Sequence, residues 1–159
     1  MLQKIARKKI AAAGGRHVII ASTYNARYVD AMLRAAKAEI LRAGGALQIV
    51  RVPGAFEIPV VAARLARPPA GRPRPAAIIC LGVILRGATT HAQHIGEAIS
   101  TALAQIQIEH GVPVIHEVLL LENEQQARER CLSRPHNRGT EAAQTALAMA
   151  RVMRKLASS

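Results

Sequence analysis

Aromatic residues are nearly absent: the 159 residues include two tyrosines, one phenylalanine and no tryptophan. The stacking aromatics, zinc ligands or recognition-helix pattern of common nucleic-acid binders are missing. Cysteine is equally scarce. Cys80 and Cys131 form no C-x-x-C pair and have no histidine at ligand spacing, which argues against a zinc site or a disulfide framework. No metal site is expected, and Cys80, inside an apolar run, reads as a small buried hydrophobe. No apolar stretch approaches the ~18 residues of a membrane span. The first 17 residues are basic with a short, broken apolar stretch, and they lack a small-residue cleavage site. A cytoplasmic protein is the expectation. Acidic residues are also few, ten against 22 lysines and arginines, for a net charge of +12. Such a field attracts polyanions, membranes and phosphorylated metabolites alike, so charge alone does not choose a partner.

What is present is alternation. The length suits one domain over residues 1–159, within the usual ~100–200. A basic segment, residues 1–13, is expected to be mobile or to pair with a neighbouring subunit. His17–Ser22 is a short apolar run that predicts a buried strand. Over 26–43, Val29, Leu33, Ala36 and Ile40 recur at helical spacing until Gly44-Gly45 stops them. A second strand spans 46–52 and is closed by Pro53-Gly54. A short helix is predicted over 57–67, with Pro59 in its first turn. Four prolines make 68–75 a stiff exposed loop. Residues 76–85 are the longest strand candidate. A helix over 91–110 places Ile95, Ile99, Ala102, Leu103 and Ile106 on one face. A fourth strand covers 112–121, a polar helix 123–132, a loop 133–139 and a last helix 140–156, with Ala143, Leu147, Ala150 and Met153 inward. Four strand–helix alternations predict an α/β fold: a parallel sheet with helices on both faces.

In an open parallel sheet, ligands bind beyond the carboxyl ends of the strands. Three such ends carry distinctive residues. The first is Thr23-Tyr24-Asn25. Asn25 reads either as a ligand contact or as a helix cap, with Tyr24 partly in the core. The second is Gly54-Ala55-Phe56-Glu57. Phe56 can cover a planar ligand and Glu57 can accept hydroxyl hydrogen bonds; the alternative is a core phenylalanine and a glutamate that complements a helix dipole. The third is Arg86-Gly87-Ala88-Thr89-Thr90-His91. Gly87 permits a tight turn, the threonines supply hydroxyls, and the helix start offers free N–H groups for an anion such as phosphate. His91 can exchange protons near neutral pH. The plain alternative is a threonine cap beside a surface histidine. Neither a G-K-[ST] phosphate loop nor a dinucleotide G-x-G-x-x-G is present. Arg130, on the polar helix, is either a solvated charge or a phosphate contact.

Taken together and in order, Val-Pro-Gly-Ala-Phe-Glu-Ile-Pro (52–59), Gly-Val-Ile-Leu-Arg-Gly-Ala-Thr-Thr-His (82–91), Gly-Val-Pro-Val-Ile (111–115), Glu-Asn-Glu-Gln-Gln-Ala-Arg-Glu-Arg (122–130) and Asn-Arg-Gly-Thr-Glu-Ala-Ala (137–143) resemble the 6,7-dimethyl-8-ribityllumazine synthase family. The resemblance runs from about His17 to Met153. It implies a flavodoxin-like three-layer sandwich with a four-stranded parallel sheet. It also implies a transferase of riboflavin biosynthesis that condenses 5-amino-6-(D-ribitylamino)uracil with 3,4-dihydroxy-2-butanone 4-phosphate and uses no metal or organic cofactor. Family members are pentamers, some of them assembled into 60-subunit shells, with the active site between adjacent subunits.

By the same resemblance, Tyr24 stacks on the pyrimidine beside Asn25. Ala55, Phe56 and Glu57 hold the ribityl chain, and Val83, Ile84 and Leu85 hold the pyrimidine edge. Gly87, Ala88, Thr89 and Thr90 form the phosphate turn, and His91 transfers protons. Arg130 of a neighbouring subunit binds phosphate, with Arg138 near the same site. The chain departs from the family pattern in several places. Ala92 replaces an aromatic, His116 stands where a neighbour's phenylalanine closes the pocket, Leu120-Leu121 replaces a threonine pair, and the 68–75 loop is longer. A competing expectation is an oligomeric shell or scaffold with little catalysis that binds nucleic acid or another anionic cargo through its charge.

Overall fold

The computed structural model describes residues 2–159. Four parallel strands, β1 (Arg16–Ser22), β2 (Ala46–Val52), β3 (Ala77–Leu85) and β4 (Val114–Leu121), form one sheet in the order β2-β1-β3-β4. Five helices follow the strands: α1 (Ala26–Arg42), α2 (Ile58–Ala66), α3 (His91–His110), α4 (Glu124–Ala127) and α5 (Arg138–Ala157). The alternation expected from the sequence is therefore the architecture found, a three-layer α/β fold of flavodoxin-like strand order.

The central strands β1 and β3 are apolar on both faces because helices cover both. Ile19, Ala21, Ile79 and Leu81 point into the layer of α1 and α5, where Val29, Met32, Ile40 and Leu147 meet them. Val18, Ile20, Ile78 and Cys80 point the other way, against Ile58 of α2 and Ile99 and Leu103 of α3. Side chains such as Ile19, Ile20, Ile78, Ile79 and Leu81 are wholly buried; burial of each is worth roughly 1.5–3 kcal/mol. Both thiols lie in these cores. Burial pushes the Cys80 thiol far up and Cys131 to about 12, so neither supplies a thiolate nucleophile.

Several local expectations are corrected. The buried stripe of α1 also includes Tyr28 and Met32, while Leu33 is only half-buried. The helix expected over 57–67 is found as α2, entered through a 3-10 turn at Ala55–Glu57 that the sequence did not signal. The polar helix expected over 123–132 is one turn of α-helix, capped when Asn123 accepts a hydrogen bond from the Gln126 N–H, and then widens into a π-turn at Arg128–Leu132. The expected loop 133–139 contains a 3-10 turn at Arg134–His136, and α5 starts at Arg138. Buried Asn137 starts that helix: its carbonyl accepts from the Gly139 N–H and its amide donates to the Cys131 carbonyl at 2.6 Å. Gly139 lets α5 touch α1 backbone to backbone; a methyl group there would overlap the Met32 carbonyl.

The N-terminal arm has no regular structure but lies on its own chain. The Ile5 N–H donates to the Pro135 carbonyl and the Ala12 N–H to the Ala43 carbonyl, while Ile10 and Ala12 pack on the α1–α5 core.

Candidate functional site

Strand β3 is longer than its neighbour. Its register with β1 ends at the Ala21–Leu81 pair, whereas its register with β4 continues to Leu85–Leu121. Backbone groups of alternate residues point to opposite sides of a strand. Beyond Leu81, the side of β3 that faced β1 therefore presents hydrogen-bonding groups to a cleft instead of to a strand. One of them is occupied. The Asn25 side-chain amide donates to the Val83 carbonyl at 2.7 Å. Asn25 ends the turn after β1 and holds the N-cap position of α1, with φ +55°. The helix-cap alternative holds for its position, but the side chain makes no cap bond and spends its amide across the sheet. Asparagine tolerates the left-handed region better than most residues. The backbone groups of Leu85, two residues on, point to the same open side.

The cleft is about 470 Å³ and is lined by Tyr24, Asn25, Gly54, Ala55, Phe56, Glu57, Val83, Ile84, Leu85 and Ile95. Eight sequence candidates are therefore brought together from the ends of three strands. Tyr24 is 66% exposed and Phe56 60%. Neither is a core residue, which corrects the alternatives that placed them there. Two of the three aromatic rings of the chain stand open at one cleft. Glu57 accepts a hydrogen bond from the Gly54 N–H at 2.9 Å, closing the turn while its second oxygen stays uncommitted. Here both readings of Glu57 are compatible.

Gly54 and Ile95 line the cleft but were not among the sequence candidates. Gly54 had a signal, the Pro-Gly pair, which marked only a turn. Its second role is spatial: a methyl group there would lie 2.8 Å from Glu57 Oε2 and 3.0 Å from the Tyr24 ring. Gly82 similarly admits Ala55 and Val118 close to β3.

The Gly87–Thr90 turn and His91 follow directly from the end of β3 and are exposed. Thr90 holds the N-cap position of α3, as the threonine-cap alternative had it, but makes no side-chain bond to the helix. Only a long contact links the His91 N–H to Thr89 Oγ1, at 3.4 Å. The first turn of a 20-residue helix thus keeps donors and a positive dipole end for an anion.

The remaining candidates lie elsewhere on the chain. Arg130 sits on the π-turn, half-buried, away from the lining of the cleft. Arg138 donates to Glu117 Oε1 at 2.8 Å and also pairs with Glu141. Burial pushes the Glu117 carboxyl up, and the Arg138 guanidinium pulls it back. His116 is exposed on β4; its Nδ1 accepts from the Val118 N–H and its Nε2 lies 2.8 Å from Ser100 Oγ. That pattern fixes a neutral ring protonated at Nε2. Among the described residues, no three metal-ligating side chains cluster, and no helix is long and apolar enough to cross a membrane.

A flavodoxin-like sheet with an aromatic, hydrogen-bonding cleft at its carboxyl edge defines an α/β small-molecule-binding class. Sequence comparison narrows that class. The 6,7-dimethyl-8-ribityllumazine synthase family profile matches residues 14–154, and the chain belongs to this family. It is 40% identical over 147 residues to the 6,7-dimethyl-8-ribityllumazine synthase of Xylella fastidiosa (strain M12), covering 91% of this chain and 93% of that protein. The synthase of Xanthomonas campestris pv. campestris (strain B100) is 39% identical over 144 residues, covering 89% and 91%. That of Stenotrophomonas maltophilia (strain R551-3) is 37% identical over 144 residues, covering 89% and 90%.

Proposed function

We propose that the protein is a transferase of riboflavin biosynthesis that condenses 5-amino-6-(D-ribitylamino)uracil with 3,4-dihydroxy-2-butanone 4-phosphate. The products are 6,7-dimethyl-8-ribityllumazine, phosphate and water. The observation that carries this reading is the open edge of β3 facing Tyr24, Phe56 and Glu57. A pyrimidinedione is flat and has donors and acceptors along its edge. Tyr24 supplies a stacking face, and the strand supplies complementary backbone groups. The free oxygen of Glu57 accepts from ribityl hydroxyls, with Phe56 and Ala55 beside the chain.

The second substrate brings a phosphate, which suits the Gly87–Thr90 turn and the uncapped start of α3. Imine formation between the uracil amine and the ketone moves protons, and His91 sits where it can carry them. Loss of phosphate builds negative charge. Within one chain no guanidinium lines the cleft, and Arg86 beside the turn is already paired with Glu122; in this reading Arg130 of a second copy supplies the free one. The working unit is then a homopentamer, either free or as part of a 60-subunit shell, with His116 and Arg138 also near the shared boundary. Holding two substrates in register lowers the entropic barrier, by as much as ~7–11 kcal/mol in ideal cases. No cofactor is needed for this chemistry.

The experiment follows product fluorescence with both substrates for the native protein and for His91→Ala and Arg130→Ala. Turnover is expected from the native protein. Arg130→Ala is expected to raise KM for the phosphorylated substrate more than for the pyrimidine. No native turnover overturns the reading and favours a scaffold; equal KM losses on both substrates remove Arg130 from the phosphate-binding role.

A further inference from the structure

The surplus positive charge is distributed unevenly. Over its 20 residues α3 has no lysine or arginine and carries Glu97 and Glu109. On the opposite side of the sheet, the N-terminal arm crosses α1 and the Arg134–His136 turn, and the cations collect there. A groove of about 620 Å³ lies between arm and helix, with Arg7, Arg34 and Arg134 along it and Ala31, Ala35 and Ala38 among the floor residues. Among the described residues none of the three guanidinium groups has a hydrogen-bond or ion-pair partner. The one carboxylate in the groove, Glu39, is already paired with Arg42. The charge continues along the arm on both sides: Lys4 and Lys8 line one adjoining cavity, and Lys9 lines another beside Arg42.

We propose that this groove binds the phosphodiester backbone of a single-stranded nucleic acid, held by Arg7, Arg34 and Arg134. Three arginines without a partner on one groove offer more positive charge than a single small anion balances, which suits the repeating phosphates of a chain. A flexible single strand can follow such a groove, whereas a flat lipid surface or a stiff duplex meets mainly its rim. All three aromatic side chains lie outside the groove, so the contacts there are to phosphates alone, which carry no sequence information. This surface is separate from the Tyr24–Phe56 cleft.

The test is fluorescence anisotropy of a labelled 20-nucleotide oligouridylate with the full-length protein, in a salt series, with oligothymidylate run in parallel. Each single-strand phosphate contact contributes about 0.7 to the slope of log affinity against log salt. The triple variant Arg7→Ala/Arg34→Ala/Arg134→Ala is expected to shallow the slope by about 2, removing roughly 20-fold of the affinity loss between 50 and 200 mM salt. The equally charged control Arg64→Ala/Arg67→Ala/Arg72→Ala, on α2 and the proline loop, is expected to leave the slope unchanged. Should the triple variant fail to fold, Arg34→Glu alone, at an exposed helix position, is expected to shallow the slope by about 0.7 or more. Equal losses in variant and control, no salt-dependent binding by the native protein, an unchanged slope, or tighter binding to phosphatidylserine vesicles than to the oligonucleotides overturns the proposal.

Discussion

Asn25 donates its side-chain amide to the main-chain carbonyl of Val83, 58 residues away, at 2.7 Å. The same residue holds a left-handed backbone at the entry to α1. The two roles are separable. Asn25→Ala loses both the hydrogen bond and the backbone tolerance and is expected to cost about 1–3 kcal/mol in urea unfolding. Asn25→Gly keeps the backbone and loses only the amide. It is expected to recover part of that stability while kcat/KM stays at least about tenfold down. Full recovery of activity by glycine would show that the amide does not shape the cleft.

Gly54→Ala places a methyl group against Glu57 and the Tyr24 ring; the exposed ring can swing outward, while Glu57 does so only by giving up its hydrogen bond to the Gly54 N–H. A modest loss of stability, about 0.5–1.5 kcal/mol, is therefore expected. Displacing two cleft groups by about 1 Å is expected to lower kcat/KM up to about 100-fold. Steady-state kinetics beside a thermal melt distinguishes this from a folding defect.

Gly139→Ala is the reverse case. The added methyl meets the Met32 backbone, which cannot rotate away. Forcing α5 off α1 is expected to cost about 3 kcal/mol, at the upper end for overpacked cores. Denaturant midpoints at constant m-value test this.

His17 is wholly buried at the amino end of β1, and neither ring nitrogen has a partner of good geometry. Burial lowers its pKa below 6.5, with the Ala46 backbone opposing only in part. Below pH 6.5 the unfolded chain takes up a proton at this residue while the folded chain does not, so stability falls as pH falls. Tm is expected to drop from pH 7.5 to 5.5, with a shallower drop in His17→Leu. Identical pH profiles for the two proteins would remove His17 from this role.

The fold was legible because its signals are local. Apolar runs marked all four strands, and the Thr-Thr-His and His-Gly boundaries of α3 fall at 91 and 110, as read from the sequence. The carboxyl-end rule pointed to Tyr24, Phe56 and Glu57, and the family resemblance added the Val83–Leu85 segment; all of them line one cleft. What escaped depends on partners remote in sequence. Asn25 holds the cap position read for it, but the acceptor of its amide, Val83 on β3, leaves no local signal. Arg138 answers Glu117, 21 residues back, through a contact no local pattern encodes. The π-turn at Arg128–Leu132 has an ordinary helical composition. Its widening places Cys131 in the core while the Cys131 carbonyl reaches Asn137.

The overhang of β3 past β1 leaves a ladder that lacks its next rung. In the proposed function, a planar heterocycle whose rim carries donors and acceptors in the right sequence serves as that rung beside the Asn25 amide, read in part by main-chain atoms that substitution cannot delete. Drift in the surrounding side chains then tunes how tightly the guest is held, while the kind of guest stays written in the backbone.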